Sequence, residues 1–161
     1  MITRTATVVG ALLLALLTIS IGFGVGMRAK FPPVINAVRR LNHAVFNPRQ
    51  MRSAGTPGAD ASVIRHVGRK TGRRYETPVA AVATGDGFIV ALPYRSRADW
   101  LKNVLASESA TIVNQGHTYR VDQPEIIPIE AAAAHLPAKD RRNFRLFGVD
   151  QYLRVRRGQS D

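Results

Sequence analysis

The chain has 161 residues, room for one compact domain with an attached segment and not for two full domains. With 45% hydrophobic and 21% charged residues it has the balance of a folded protein, and the absence of cysteine excludes disulfides, thiolate chemistry and cysteine-ligated metal. Twenty-three Lys and Arg against eleven Asp and Glu give a net charge of +12, which points to an anionic partner: nucleic acid, acidic lipid or a phosphorylated cofactor. The charge is uneven. Residues 1–80 carry twelve basic side chains against Asp60 and Glu76, whereas residues 81–161 carry eleven against nine.

Residues 6–26, ATVVGALLLALLTISIGFGVG, form an uncharged run of 21 residues. As a helix that run is about 31 Å long, enough for the hydrocarbon core of a bilayer. A signal peptide cleaved at Gly24-x-Gly26 is the competing reading, but the run exceeds the roughly 7–15 residues of a signal core and only Arg4 precedes it. Arg28, Lys30, Arg39 and Arg40 follow closely, so the positive-inside rule puts the rest of the chain on the cytoplasmic face of the cell membrane. The expected organisation is a single-pass anchor over residues 1–27, a juxtamembrane amphipathic helix and linker over 28–60, and a folded domain over 61–157. Gly22 and Gly26 have the spacing of a helix-pairing motif, though loose helix termination is the simpler account. After Pro32-Pro33, the apolar positions Val34, Ala37, Val38, Leu41 and Val45 recur at helical spacing toward Met51. That pattern fits an interfacial helix with Arg39 and Arg40 at lipid phosphates, and equally a helix packed on the domain.

Residues 53–60, SAGTPGAD, read as the linker. Beyond it, residues 61–67 and 75–84 are β-rich runs, and 88–94 is a third strand entered through Gly85-Asp86-Gly87. Residues 98–107 form a short helix with Trp100, Leu101, Val104 and Leu105 on one face. Residues 111–114 and 118–122 pair across Gln115-Gly116-His117, and 125–129 adds a further strand. Residues 130–135 and 139–147 are helical, and 150–156 is the last strand. Short strands with one inserted helix predict a mainly β, α+β domain: a small barrel with attached helices.

The segment VGRKTGRRYETPV concentrates the chemistry. Arg69, Lys70, Arg73 and Arg74 fall within six positions, between glycines that let a turn present its amides to an anion. Arginine offers bidentate phosphate contacts and lysine a point charge. The segment is not a Walker loop, and as composition alone it could be a solvated hairpin turn.

Taken together, VIRHVGRKTGRRYETPVAAV, GDGFIVALPY, ADWLKNVLAS and FGVDQYLRVRR resemble the deazaflavin-dependent nitroreductase family, oxidoreductases of actinobacteria that use coenzyme F420. The resemblance runs from about residue 39 to 157 and rests on the order of GRKTG, TPV and W-x-x-N. It implies a split β-barrel of the flavin-reductase and pyridoxamine-oxidase type. It also implies that Arg69, Lys70, Thr71, Gly72 and Arg73 grip the phosphate and oligoglutamate tail of F420. Thr77, Pro78 and Val79 would lie beside the deazaflavin ring. Pro93, Tyr94 and Arg95 would approach the ring or its side chain, and Trp100 and Asn103 would close the groove. Where nitro-prodrug reducers carry a tyrosine-rich stretch, this chain has NFRLFGVDQYL, so Phe144, Phe147 and Tyr152 would meet a small lipophilic substrate rather than a nitroimidazole. The activity implied is hydride transfer from reduced F420 to a quinone or an activated alkene, with Tyr94 the candidate proton donor. Flavin mononucleotide on the same barrel, or non-catalytic carriage of a lipid or cofactor at the membrane, are the alternatives.

Other chemistries fail on the residues. His43, His66, His117 and His135 have no metal-ligand spacing and read as structural. No GxSxG occurs, and no GxGxxG follows a strand. Asp99 and Glu76 are isolated acids, expected exposed or ion-paired. Tyr75 alone interleaves the basic stretch with an aromatic ring, too little for a nucleic-acid surface. The full chain is expected to fractionate with membranes and resist carbonate extraction, whereas a mature N-terminus at Met27 in mass spectrometry would refute the anchor.

Overall fold

The computed structural model describes residues 31–41, 47–146 and 148–158, preceded by positions 18, 20, 22, 24–26 and 29. Most of the uncharged run over 6–26 lies outside the described residues, as do Arg4, Arg28, Lys30 and His43. Among the described residues no helix is long and apolar enough to cross a membrane.

Helix α1 spans Pro32–Leu41 and α2 spans Asn47–Gln50. The two prolines occupy the first turn of α1, where a missing N–H costs nothing and a fixed φ favours the helix. The helix expected over 34–51 is helical at Pro32–Leu41 and Asn47–Gln50, while residues 42–46 lie outside the described residues.

The domain is α+β, built on β1 (Ser62–Val67), β2 (Arg74–Val79), β3 (Ala81–Ala83), β4 (Gly87–Ala91), β5 (Ser109–Asn114), β6 (His117–Pro128) and β7 (Gln151–Arg157). Helix α3 (Asp99–Ser107) falls between β4 and β5, and α4 (Ile129–Ala132) and α5 (Ala138–Leu146) fall between β6 and β7. All pairings are antiparallel, in the order β2-β1-β5-β6-β7-β4-β3. The two outermost strands are neighbours in the chain, joined by Ala80 alone. Val79 pairs with Ser62 on one edge, and Ala81 pairs with Val90 on the other. The sheet must therefore curl until its edges meet at Ala80, which makes it a half-barrel. The single strand expected over 75–84 is divided for this reason: the chain leaves one edge and joins the other.

Three further expectations change. Gln115 and Gly116 take φ of 51° and 81° as a two-residue turn, so His117 already pairs with Asn114. The separate strand expected at 125–129 is the second half of β6, past a register shift between Asp122 and Glu125 where Gln123 has φ 50°. The linker at 53–60 is docked onto the β5–β6 hairpin rather than loose. Gly116 N–H donates to Gly55 O at 2.6 Å, Gly58 N–H to Gln115 Oε1 at 2.6 Å, and Gln115 Nε2 to Ala59 O at 2.8 Å.

Ile64, Val79, Phe88, Val90, Ile112, Val121 and Leu153 come from strands at both ends of the sheet order yet share one cluster, so they fill its concave side. Helix α3 plugs that side with Leu101 and Val104 fully buried and Trp100 and Leu105 half-buried, the apolar face expected from the sequence. A second cluster on the convex side joins Ile89, Ala91, Ile127 and Tyr152 to Ala132, Leu136 and Val149. β4 is buried on both faces, which accounts for the unbroken apolar run 88–92.

Gly87 begins β4 opposite Arg156, and a Cβ there would collide with the Val155 carbonyl oxygen and stand 2.8 Å from Arg156 Cα. Backbone cannot yield as a side-chain tip can. Gly87→Ala is expected to destabilise the fold by about 1–3 kcal/mol, read as a lower urea midpoint at unchanged slope; an unchanged midpoint would show that β7 shifts freely.

Candidate functional site

The basic turn at residues 68–73 connects β1 to β2. Thr71 and Gly72 donate their N–H to Gly68 O at 3.1 and 2.8 Å, and Gly68 donates to Arg73 O at 2.8 Å. Arg73 N–H reaches Thr71 Oγ1 at 3.4 Å, and Arg69 N–H reaches Asn103 Oδ1 at 3.2 Å. The expectation that the turn aims its amides at an anion is therefore not met: they close the turn itself, and within 68–73 Lys70 alone keeps an N–H without an acceptor among the described residues. Gly72 allows the closure with φ 65°, and Gly68 leaves room for Tyr75, whose Cε2 would stand 2.7 Å from a Cβ there. Positive charge is offered by side chains instead. Lys70, Arg73 and Arg74 are exposed, and none has an ion-pair partner among the described residues.

Arg69 does something different. Its Nη1 donates to Asn103 Oδ1 at 2.8 Å and its Nη2 to Asp99 Oδ1 at 3.2 Å, tying the turn to the start of α3. A guanidinium has donors only, so the oxygen of the Asn103 amide must face it. Asn103 Nδ2 then faces His66 Nδ1 at 3.1 Å, and that nitrogen must accept. The proton of the neutral ring consequently sits on Nε2, which donates to Thr77 Oγ1 at 3.3 Å. Burial lowers the His66 pKa from its usual value, in keeping with a neutral ring. Tyr75 stacks on His66 with centroids 5.7 Å apart and rings 20° from parallel, its hydroxyl 3.3 Å from Thr71 Oγ1.

Seven sequence-derived site residues (Arg69, Lys70, Thr71, Gly72, Arg73, Thr77 and Asn103) meet around this network. Of these, Arg69 and Asn103 spend their polar groups on one another and on Asp99 and His66. Val79 is buried in the concave core, Pro78 is half-buried, and Trp100 is half-buried against the same core. Pro93 and Tyr94 are half-buried in the loop from β4 to α3, Tyr94 leading into the 3-10 turn Arg95–Arg97. Arg95 has φ 51° and grips both Asp150 oxygens, which raises its guanidinium pKa further.

The substrate candidates lie elsewhere. Tyr152 is fully buried in the convex cluster, with Phe144 edge-on at 5.8 Å, while Phe147 lies outside the described residues. The Tyr152 hydroxyl has no hydrogen-bond partner among the described residues, and burial, then the charge of Asp150, push its pKa up to about 12. Tyr152 and the turn network thus sit on opposite faces of the sheet.

Asp99 and Glu76 are ion-paired as expected, Glu76 with Arg65 at 2.7 Å. His66, read from the sequence as structural, is the buried member of this network that the sequence did not connect to the turn. Its signal was the β alternation, which sets Ser62, Ile64 and His66 on the core face of β1. Among the described residues a shallow concavity lined by Leu105, Glu108 and Asp122 sits at the C-terminal end of α3, away from Asp99 and the turn. Comparison with family models and with curated proteins found no match.

A neutral buried histidine links folding to protons. Because the folded pKa is lowered, the unfolded chain binds more protons below about pH 6.5, so stability is full above that value and falls as pH drops through it. Denaturant midpoints across that range should decline on the acid side, with a shallower decline in His66→Gln; equal declines would mean that His66 is not the group responsible.

Proposed function

We propose that the chain is a membrane-associated oxidoreductase that takes a hydride from reduced coenzyme F420 and passes it to a lipophilic electrophile such as a quinone or an activated alkene. The observation that carries this reading is the set of cations, Lys70, Arg73 and Arg74, without an ion-pair partner among the described residues and displayed by a turn that is closed by its own hydrogen bonds and tied to α3. Two guanidinium groups and an ammonium group suit a phosphate followed by several carboxylates, and exceed what the single phosphate of flavin mononucleotide requires. The half-barrel would be the split β-barrel of the flavin-reductase type, with β2 carrying Thr77, Pro78 and Val79 directly beyond the turn.

When bound in reduced form, the deazaflavin supplies a hydride, a two-electron chemistry that leaves the protein to bind, orient and exclude water. Lys70, Arg73 and Arg74 would hold the anionic tail. Thr77 and Pro78, with Pro93, Tyr94 and Trp100, would border the ring, and the Tyr94 hydroxyl would return a proton to the acceptor. Residues 6–26 would anchor the protein with this domain toward the cytoplasm. Helix α1, whose sequence is strongly amphipathic and whose Arg40 is exposed, would lie against lipid phosphates.

Each charge-assisted contact contributes about 1.5–3 kcal/mol, so Lys70→Ala should weaken F420 binding about ten- to a hundredfold in fluorescence titration. Affinity should also fall as salt rises from about 50 to about 500 mM, when the Debye length drops below about 5 Å. Turnover of reduced F420 with menadione separates an enzyme from a carrier. Equal affinity for flavin mononucleotide, or an unchanged dissociation constant in folded Lys70→Ala, would overturn the reading.

A further inference from the structure

We propose that Asn103 and His66 are positioning residues that hold the basic turn in its anion-binding shape only while His66 is neutral. The inference rests on the reading of the turn as an anion site and concerns what keeps it in place. The network has a direction. Arg69 can only donate, so Asn103 must present its oxygen to both the guanidinium and the Arg69 backbone N–H. Nδ2 is then committed to His66, whose Nδ1 must carry a lone pair.

Protonation of Nδ1 sets one donor against another. Rotating the Asn103 amide would restore the contact with His66, but would turn Nδ2 toward the Arg69 guanidinium and N–H, again donor against donor. Neither orientation serves both neighbours. Asn103 is 6% exposed and His66 7% exposed, so water has little access to repair the mismatch. The groups facing His66 from the surrounding elements are Tyr75 and Thr77 on β2 and Asn103 on α3. The nearest charges in the network, Arg69 and Asp99, stand further along it, and Arg65 pairs with Glu76 on the other face of the sheet.

The consequence has an unusual sign. At an ordinary cationic cluster, protonating a nearby histidine adds positive charge and strengthens anion binding. Here protonation releases Arg69 and loosens the turn that carries Lys70 and Arg73, so acidification weakens anion binding. Asn103→Asp should reverse this, because a carboxylate accepts from Arg69 and from a protonated His66 alike.

The test uses the full-length chain with inositol hexasulfate, an anion whose charge is constant across the range. Calorimetric affinity at about pH 7.5 and about pH 5 is paired with NMR of the His66 ring nitrogens and the Arg69 amide. In the wild type the ring should be the Nε2–H form at pH 7.5. The Arg69 amide should shift as His66 titrates, and affinity should fall about three- to tenfold on acidification. His66→Gln should flatten both responses, and Asn103→Asp should make affinity rise as pH falls. An Nδ1–H ring, an Arg69 amide indifferent to His66, or wild-type affinity that rises on acidification would each overturn the proposal. If hexasulfate fails to bind at pH 7.5 while the Arg69 amide still follows His66, the positioning role stands and the anion-site reading fails instead.

Discussion

A guanidinium cannot accept a hydrogen bond, and from that constraint the direction of the whole side-chain network beside the turn follows. Arg69 fixes which end of the Asn103 amide faces it, and the amide fixes the tautomer of His66. His66 in turn bonds Thr77 and stacks on Tyr75, which reaches back to Thr71 in the same turn. The result is a closed circuit through the turn, β1, β2 and α3. Leaving one of its buried members unpaired costs about 1–3 kcal/mol, so the circuit resists partial dissolution. It also separates two kinds of basic residue in one short segment. Arg69 is bound into the framework by its hydrogen bonds to Asn103 and Asp99, while Lys70, Arg73 and Arg74 are exposed with no ion-pair partner among the described residues.

The circuit exists because the sheet curls. Ala80 carries the chain from one sheet edge to the other, and the concave side so formed is filled by α3. Leu101 and Val104 seat the helix in the apolar core, and the same helix brings Asp99 and Asn103 to the β1–β2 turn. Apolar burial on one side of α3 thereby sets the position of a polar network at its edge. The convex side is organised separately, around Tyr152 and Phe144 beneath the α4–α5 segment, and the Tyr152 phenol, without a hydrogen-bond partner among the described residues, belongs to that second core.

Local pattern by itself determined a good deal. The extents of β1, α3, α5 and β7 were legible to within a residue or two, because alternation, helical spacing and glycine turns act over a few neighbours. The apolar face of α3 and the pairing of Asp99 and Glu76 were legible for the same reason, as was the cationic density of the turn. What needed tertiary structure was everything set by partners far along the chain. The division of residues 75–84 at Ala80 depends on closure with β4, and the docking of residues 53–60 depends on a hairpin about sixty positions on. The fate of the turn's amides depends in part on Asn103, 34 residues from Arg69. Sequence spacing counts positive charges but cannot tell which of them folding will consume, since an ion pair or hydrogen bond depends on distance in space. Only the fold decided that Arg69 is tied to α3 and that Lys70 and Arg73 keep no ion-pair partner among the described residues.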